Sequence, residues 1–341
     1  MGKFKVFLLF LIFAFIGCST QSTLQNRIPA SFSQCDKYYL PYNKEVFPRE
    51  KHLVDHFFLK KPGVINHVNY AINFERVEYY VKQLPNKYPN ELSVVKMGTY
   101  DGIDLQRINI PGWGNGDRKQ VIITAGVHGN ESAGVATAIN ILEKIIYNPA
   151  MRNNYDFVII PFMNPGGLSQ NTRRLKNNVD LNRTFPGGKS KSQGATNIIK
   201  SSLKGETFDL ALDLHEAPFR DKFFVIKMQE NDQQLTRKVL AEIPEEFLVT
   251  AKDSIYPGKM YRAAIPGGPQ IEQIPKNISY KLFAPGEVSS SNMGTVKTYL
   301  AQTHSANFSY TLEAPGQFEL VKKVSIYTDI VEGYLKNFLT N

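Results

Sequence analysis

The sequence predicts an α/β fold, a single α/β/α sandwich with a mixed, largely parallel central sheet. Apolar, β-branched runs alternate with segments of helical periodicity, and the composition, with 42% hydrophobic and 21% charged residues, is that of an ordinary globular protein. Strands that alternate with helices form sheets covered on both faces, so we expect residues 50–341 to form one domain. The formal net charge of +9 is scattered without a block of Lys and Arg, so we expect no nucleic-acid partner.

The N-terminal segment has the composition of an export signal. Lys3 and Lys5 give it a charged start, and an uninterrupted apolar run covers residues 6–16. This run of 11 residues is shorter than the roughly 20 that span a bilayer as a helix. Cys18 follows almost at once, and the segment FIGC (residues 15–18) resembles the lipobox of bacterial lipoproteins, although phenylalanine stands where leucine is usual.

This signal predicts a location in the bacterial cell envelope. Residues 1–17 would be removed, and Cys18 would carry a lipid anchor in the membrane. Residues 18–49 are polar and rich in turn-forming residues, and would form a tether or N-terminal arm. An ordinary secretory signal on a secreted protein is the alternative. Acylation of Cys18 would leave Cys35 as a single thiol, so we expect no disulfide framework.

Periodicity predicts the elements in order along the chain. Helical spacing of apolar residues predicts a helix over 70–84 that ends before Pro85, and two strands follow as an antiparallel pair over 92–97 and 105–110. The other predicted strands cover 121–127, 157–162, 208–214, 223–228 and 307–312. The other predicted helices cover 131–146, 232–243, 293–303 and 324–338. A long polar loop is predicted over 164–194, and several Pro-Gly pairs between the predicted helices break the stretch 229–298 into loops.

A strand-to-helix turn holds the first candidate site. The strand over 121–127 stops at His128, and a helix begins at Glu131. In an open α/β sheet, ligands bind at the carboxyl ends of the strands. His128 and Glu131, three residues apart across a tight turn, can therefore converge on one zinc ion. On this segment alone, the alternative is a turn in which Glu131 complements a helix dipole and His128 caps a neighbouring group.

Two further strand ends carry matching side chains. The strand over 208–214 ends at His215, and the strand over 307–312 runs into Glu313. Two histidines and one glutamate are the protein ligands of one class of catalytic zinc site, in which the fourth position stays open for water. A further glutamate can take a proton from that water and later return it. The three strand ends together therefore predict one catalytic Zn²⁺ site.

The long loop after residue 164 contains candidate substrate contacts. Asn182 and Arg183 lie beside Asp180, and the same loop contains Arg173 and Arg174. A guanidinium group matches a carboxylate with two parallel hydrogen bonds, and a neighbouring asparagine adds a directional donor. The loop therefore indicates a small substrate with a free carboxylate. The alternative is a solvated basic loop that binds nothing.

Five motifs in this order resemble the zinc carboxypeptidase superfamily, which includes the metallocarboxypeptidases and the succinylglutamate desuccinylase/aspartoacylase branch. The motifs are GVHGNE (126–131), NPGG (164–167), VDLNRTFP (179–186), DLH (213–215) and YTLE (310–313). The resemblance covers about residues 70–335. Five motifs in the right order are far more specific than any one of them.

The resemblance implies a catalytic zinc site with a clamp for the substrate. The ligands of a single zinc ion would be His128, Glu131 and His215. The residues acting on the substrate would be Glu313 as general acid/base, Asn182 and Arg183 as the clamp on the substrate carboxylate, and Arg173 or Arg174 as the group that polarises the scissile carbonyl. Sequence spacing does not choose between the two arginines.

These expectations define a zinc-dependent amide hydrolase of the metallocarboxypeptidase type. We expect it to cleave a peptide or a peptidoglycan-derived peptide, because an envelope protein meets such peptides. An N-acyl amino acid deacylase is the alternative, because Gly166 stands where many peptidase relatives carry aspartate and because residues 213–225 are more similar to the desuccinylase branch. A non-catalytic, ligand-binding lipoprotein is the third reading, although such a protein would be expected to have lost at least one site residue.

Overall fold

The computed structural model describes residues 48–61, 69–113, 115–218, 220–228, 234–250, 281–284, 287–289 and 293–340. The proposed signal segment, Cys18 and nearly all of the proposed tether lie outside these ranges. Within the ranges, no helix combines the length and the apolar character needed to cross a bilayer.

A mixed nine-stranded sheet organises the fold of the described residues, beside a small antiparallel sheet of β1 (Phe58–Lys60) and β2 (Tyr70–Ile72). The strands of the large sheet are β3 (Ser93–Tyr100), β4 (Ile103–Ile110), β5 (Lys119–Ala125), β6 (Tyr155–Ile160), β7 (Leu210–Ala217), β8 (Phe224–Lys227), β9 (Lys281–Ala284), β10 (Glu287–Ser289) and β11 (Phe308–Pro315). Their spatial order is β3-β4-β6-β5-β7-β11-β8-β10-β9. The four central strands, β6, β5, β7 and β11, are parallel, and antiparallel pairs flank them on both sides.

Helices lie against both faces of the sheet. They are α1 (Pro48–Phe57), α2 (Phe74–Lys87), α3 (Ser132–Tyr147), α4 (Pro149–Asn154), α5 (Pro165–Gln170), α6 (Gly194–Ser202), α7 (Gln234–Leu240), α8 (Val296–Thr303) and α9 (Leu320–Phe338). Successive residues of a strand point to opposite faces, so Leu212 and Leu214 of β7 pack with α3 and α9, whereas Ala211 packs with α6 and α8. The predicted α/β fold with a mixed sheet between helical layers is confirmed.

The first predicted helix differs from the observed elements at both ends. Residues Tyr70–Ile72 form β2, and α2 begins after Asn73, whose side chain accepts a hydrogen bond from the backbone N–H of Arg76. The helix also continues through Pro85 to Lys87. Pro85 lies in the last turn, and burial of the apolar face of α2 stabilises the helix more than the proline destabilises it.

The strands β7 and β11 extend beyond their predicted ends. They pair in parallel from Phe308 and Leu210 as far as Pro315 and Ala217, so His215 and Glu313 lie inside strands. The apolar pattern used for prediction stops early because the site's polar side chains interrupt it. In addition, β9 and β10 lie between the predicted helices 232–243 and 293–303, where the Pro-Gly pairs predict loops and no strand.

Candidate active site

The turn between β5 and α3 packs closely against the start of α5. Gly126 has φ +65°, a backbone conformation that favours glycine. A Cβ atom on Gly129 would lie 2.0 Å from the backbone carbon of Gly167, so the two segments can meet only if residue 129 lacks a side chain. The backbone N–H of Asn164 donates to the Gly126 carbonyl at 2.9 Å. The glycines of the first two motifs therefore fix the turn that presents His128.

His128, Glu131 and His215 come together at the carboxyl ends of β5 and β7. Their ligand atoms all lie within 4.8 Å of one another. Glu131 faces both histidines, with Oε1 2.7 Å from His128 Nδ1 and Oε2 2.9 Å from His215 Nδ1. All three side chains are buried. The structure thus brings together the three predicted metal ligands, and both histidines direct Nδ1 toward the shared centre.

The other ring nitrogen of each histidine contacts a buried aspartate. His128 Nε2 lies 3.1 Å from Asp180 Oδ1, and His215 Nε2 lies 2.9 Å from Asp213 Oδ2. Thr124 on β5 donates a hydrogen bond of 2.7 Å to the second oxygen of Asp213. Carboxylates in this position fix the orientation of metal-binding histidines and raise their basicity. Neither aspartate has a predicted role in the sequence analysis. Asp213 could have been found from its spacing, because residues two apart in a strand, such as Asp213 and His215, point to the same face of the sheet.

Negative charge is concentrated around this cluster. Burial alone would raise the pKa of Glu131, but attraction to His128 and His215 holds that pKa well below its usual range. Burial likewise opposes ionisation of Asp180, yet His128 and Arg173 hold its pKa far below the ordinary value. Although burial favours neutral His215, contact with Asp213 and Glu131 raises its pKa well above the usual value. Two imidazoles and a carboxylate, backed by further carboxylates, fit a divalent metal ion.

The two candidate arginines lie in different places. The guanidinium group of Arg173 enters the site, where it donates to Glu131 at 3.1 Å and to Asp180 at 3.2 Å. Arg174, the next residue, donates to the backbone carbonyl of Asn178 at 2.7 Å. The structure therefore brings Arg173, and not Arg174, to the cluster.

Asn182 and Arg183 lie on a short 3-10 helix, Leu181–Arg183, that borders the cluster. Asn182 Nδ2 lies 3.4 Å from His215 Nε2, while its side-chain oxygen accepts a hydrogen bond from the backbone N–H of Val296 at the start of α8. Arg183 donates to the carbonyl of Asn182 at 2.7 Å and is partly buried. These contacts place the Asn182 side chain beside His215, and Arg183 lies near enough to Asp180 for its charge to help lower the pKa of that carboxyl.

Glu313 lies on β11 directly beside His215 on β7. Burial raises the pKa of the Glu313 carboxyl to about 8; His215 and Arg173 oppose this rise, and Glu131 and Asp213 add to it. A cation bound at the neighbouring cluster would favour the ionised form of Glu313. A partly buried carboxyl whose ionisation responds to its neighbours is suited to proton transfer.

Comparison with known proteins agrees with this arrangement. The sequence profile of the succinylglutamate desuccinylase/aspartoacylase catalytic domain matches residues 117–264, a range that includes His128, Glu131 and His215. No curated protein sequence gives a significant match.

Solved structures of metallocarboxypeptidases share the fold. The metallo-carboxypeptidase of Burkholderia cenocepacia is 14% identical, with 78% of this chain and 69% of that chain covered and a TM-score of 0.59. The chain is thus similar in fold to metallocarboxypeptidases, and residues 117–264 are similar in sequence to the desuccinylase/aspartoacylase catalytic domain. A similar fold is also seen in the metallo-carboxypeptidase of Pseudomonas aeruginosa (16% identity, 77% of this chain and 68% of that chain covered, TM-score 0.54). Bovine thrombin-activatable fibrinolysis inhibitor is similar as well (13% identity, 79% and 97% covered, TM-score 0.55). The profile match over residues 117–264, together with the cluster, fits a hydrolase with a metal site.

Proposed function

We propose that this protein is a zinc-dependent hydrolase that cleaves an amide bond in a small substrate carrying a free carboxylate. The observation on which the proposal rests is the convergence of His128, Glu131 and His215 with Glu313 beside them on the next strand. Within this class, we propose a peptide as the substrate. The similar structure from Pseudomonas aeruginosa contains (2-guanidinoethylmercapto)succinic acid, which is a small molecule with carboxyl groups and supports a carboxylate-bearing substrate.

Zinc would be held by Nδ1 of His128, the carboxylate of Glu131 and Nδ1 of His215. When bound, it would supply a Lewis acid that activates water and polarises a carbonyl oxygen. Asp180 and Asp213 would keep the two imidazole rings in the orientation that directs Nδ1 inward.

Glu313 would move the proton. Its carboxylate would take a proton from the attacking water and deliver it to the leaving amine, so that the same oxygen serves first as base and then as acid. Its partly buried position beside His215 limits the access of bulk solvent to that proton.

Arg173 would stabilise the charge that develops on the carbonyl oxygen. Glu131 and Asp180 each accept a hydrogen bond from its guanidinium group, so its orientation is fixed before the substrate binds. Donors that are oriented in advance need no reorganisation as charge develops, which makes them effective in catalysis. Asn182 and Arg183, at the edge of the cluster, would bind the free carboxylate of the substrate.

An N-acyl amino acid deacylase is the second candidate, and one observation favours it. The profile that matches residues 117–264 is that of the succinylglutamate desuccinylase/aspartoacylase catalytic domain. Deacylation of an N-acyl amino acid would use the same metal, general base and carboxylate clamp as peptide cleavage. The two reactions differ in whether the pocket must fit an acyl group or a peptide on the other side of the scissile amide bond. We also propose that the N-terminal segment is an export signal and that Cys18 anchors the mature chain in the cell envelope. That location favours a peptide substrate, and in particular a peptidoglycan-derived peptide, over an N-acyl amino acid.

Turnover of three substrate classes tests the proposal. Purified protein is incubated with peptides, N-acyl amino acids and muropeptides, with and without a chelator, and free amine is measured. We expect chelator-sensitive release from peptides or muropeptides, and no release by Glu313→Gln. Release from N-acyl amino acids alone would support the deacylase. Wild-type turnover by Glu313→Gln would contradict the mechanism, and binding without turnover would support a non-catalytic lipoprotein.

A further inference from the structure

We propose that Glu216 and Lys323 form a buried ion pair that positions the metal ligand Glu131. The inference rests on the proposed metal site and concerns two residues that take no part in the chemistry itself. Glu216 follows His215 in β7 but points to the opposite face of the sheet, toward α3 and α9. It is 2% exposed and Lys323 is 1% exposed, so the pair lies in the interior.

The backbone and the side chain of Glu216 hold two successive parts of the Glu131 turn. Its backbone N–H donates to Glu131 Oε2 at 3.1 Å, and this is the same oxygen that faces His215 Nδ1. Its side-chain Oε2 accepts a hydrogen bond of 3.1 Å from the backbone N–H of Ala133. One residue therefore fixes both the carboxylate of Glu131 and the helix that begins directly after it.

The need for Glu216 follows from the position of Glu131. Glu131 is the N-cap residue of α3, but its side chain makes no capping hydrogen bond because it faces the histidines. The first N–H groups of a helix require acceptors, and a buried helix end without them is destabilised. The carboxylate of Glu216 supplies an acceptor and a negative charge at the positive end of α3. Glu131 is thereby left available to the metal.

Lys323 connects this arrangement to the strand that carries Glu313. Its Nζ donates to Glu216 Oε1 at 2.5 Å and to the carbonyl of Gly316 at 3.2 Å. Gly316 follows the end of β11, three residues after Glu313. The Glu216–Lys323 pair thus joins the segments carrying Glu131, His215 and Glu313, so we expect its loss to change metal affinity rather than stability alone.

The test compares this pair with a matched buried pair elsewhere. Lys227 and Glu287 form an ion pair that is buried to the same degree, at 1% and 0% side-chain exposure, between β8 and β10. Glu216→Gln and Glu287→Gln are prepared as full-length proteins. Circular dichroism checks folding, competition with a chelator of known affinity gives the zinc affinity, and the visible absorption of the Co²⁺-loaded protein reports ligand geometry.

We expect zinc affinity to fall about 10- to 100-fold in Glu216→Gln, with an altered Co²⁺ spectrum, and to stay unchanged in Glu287→Gln. If Glu216→Gln does not fold, the double variant Glu216→Gln/Lys323→Met, which leaves no buried charge unpaired, is measured instead with the same expected loss. Equal affinities for wild type and the Glu216 variants would overturn this inference and leave the proposed function standing. Absence of zinc binding by the wild type would overturn the proposed function and, with it, this inference.

Discussion

Replacement of Arg173 and Arg174 by methionine, one at a time, tests which side chain acts on the substrate. The two residues are adjacent in the chain, but only Arg173 donates to Glu131 and Asp180, whereas Arg174 donates to a carbonyl on the loop. Loss of a donor that stabilises a developing oxyanion costs about 10²- to 10³-fold in kcat, or about 2.7–4 kcal/mol. We therefore expect a loss of this size in Arg173→Met and a change of less than about threefold in Arg174→Met, because a side chain that does not contact the cluster contributes little to the chemistry.

Steady-state kinetics, combined with zinc content, separates this effect from loss of the metal. Removal of the Arg173 cation leaves Glu131 and Asp180 with less compensating positive charge, so the cluster should hold a divalent cation at least as tightly as before. The expected signature is low kcat with full zinc occupancy. Equal losses in the two variants, or wild-type kcat in Arg173→Met, would refute the assignment of Arg173.

Three other predictions concern metal affinity and stability. Asp180→Asn should lower zinc affinity about 10- to 100-fold in chelator competition, because the carboxylate that orients His128 is lost; an unchanged affinity would contradict the orienting role. Burial lowers the pKa of Lys297 to about 7, so between that pH and its unfolded pKa near 10.5 the unfolded chain binds a proton that the folded chain does not. Stability relative to Lys297→Met should therefore rise with pH, by about 3 kcal/mol between pH 7 and pH 9.5 in urea unfolding, and parallel curves would contradict this. Zinc at about 1,000 times its Kd should stabilise the wild type by about 4 kcal/mol in thermal unfolding but not His215→Ala, and an equal shift in both would indicate binding elsewhere.

Much of the fold was predictable because the central strands are buried on both faces. Continuous apolar runs such as residues 121–123 mark them clearly, and the helices between them have strong periodicity. The ends of β7 and β11 were not predictable from apolar runs. There, polar side chains such as His215 and Glu313 end the apolar run, although the backbone pairing continues to Ala217 and Pro315.

The predicted ligands converge because each lies at or near the carboxyl end of a parallel strand, which is a property of chain topology. The supporting contacts depend on long-range packing that local patterns do not encode. Asp180 contacts His128 from a loop 52 residues away, and Lys323 reaches Glu216 from a helix 107 residues away. The choice between Arg173 and Arg174 likewise depends on the direction of each side chain, and adjacent identical residues in a loop carry no periodic signal.

The most direct test of a metal-dependent hydrolase is a zinc titration of the metal-stripped protein, followed by measurement of turnover. The convergence of His128, Glu131 and His215 on one centre predicts that turnover is absent without metal, rises linearly with added zinc and stops rising at one equivalent per chain. Turnover that is already complete in the metal-stripped protein, and that does not change as zinc is added, would contradict the proposed function.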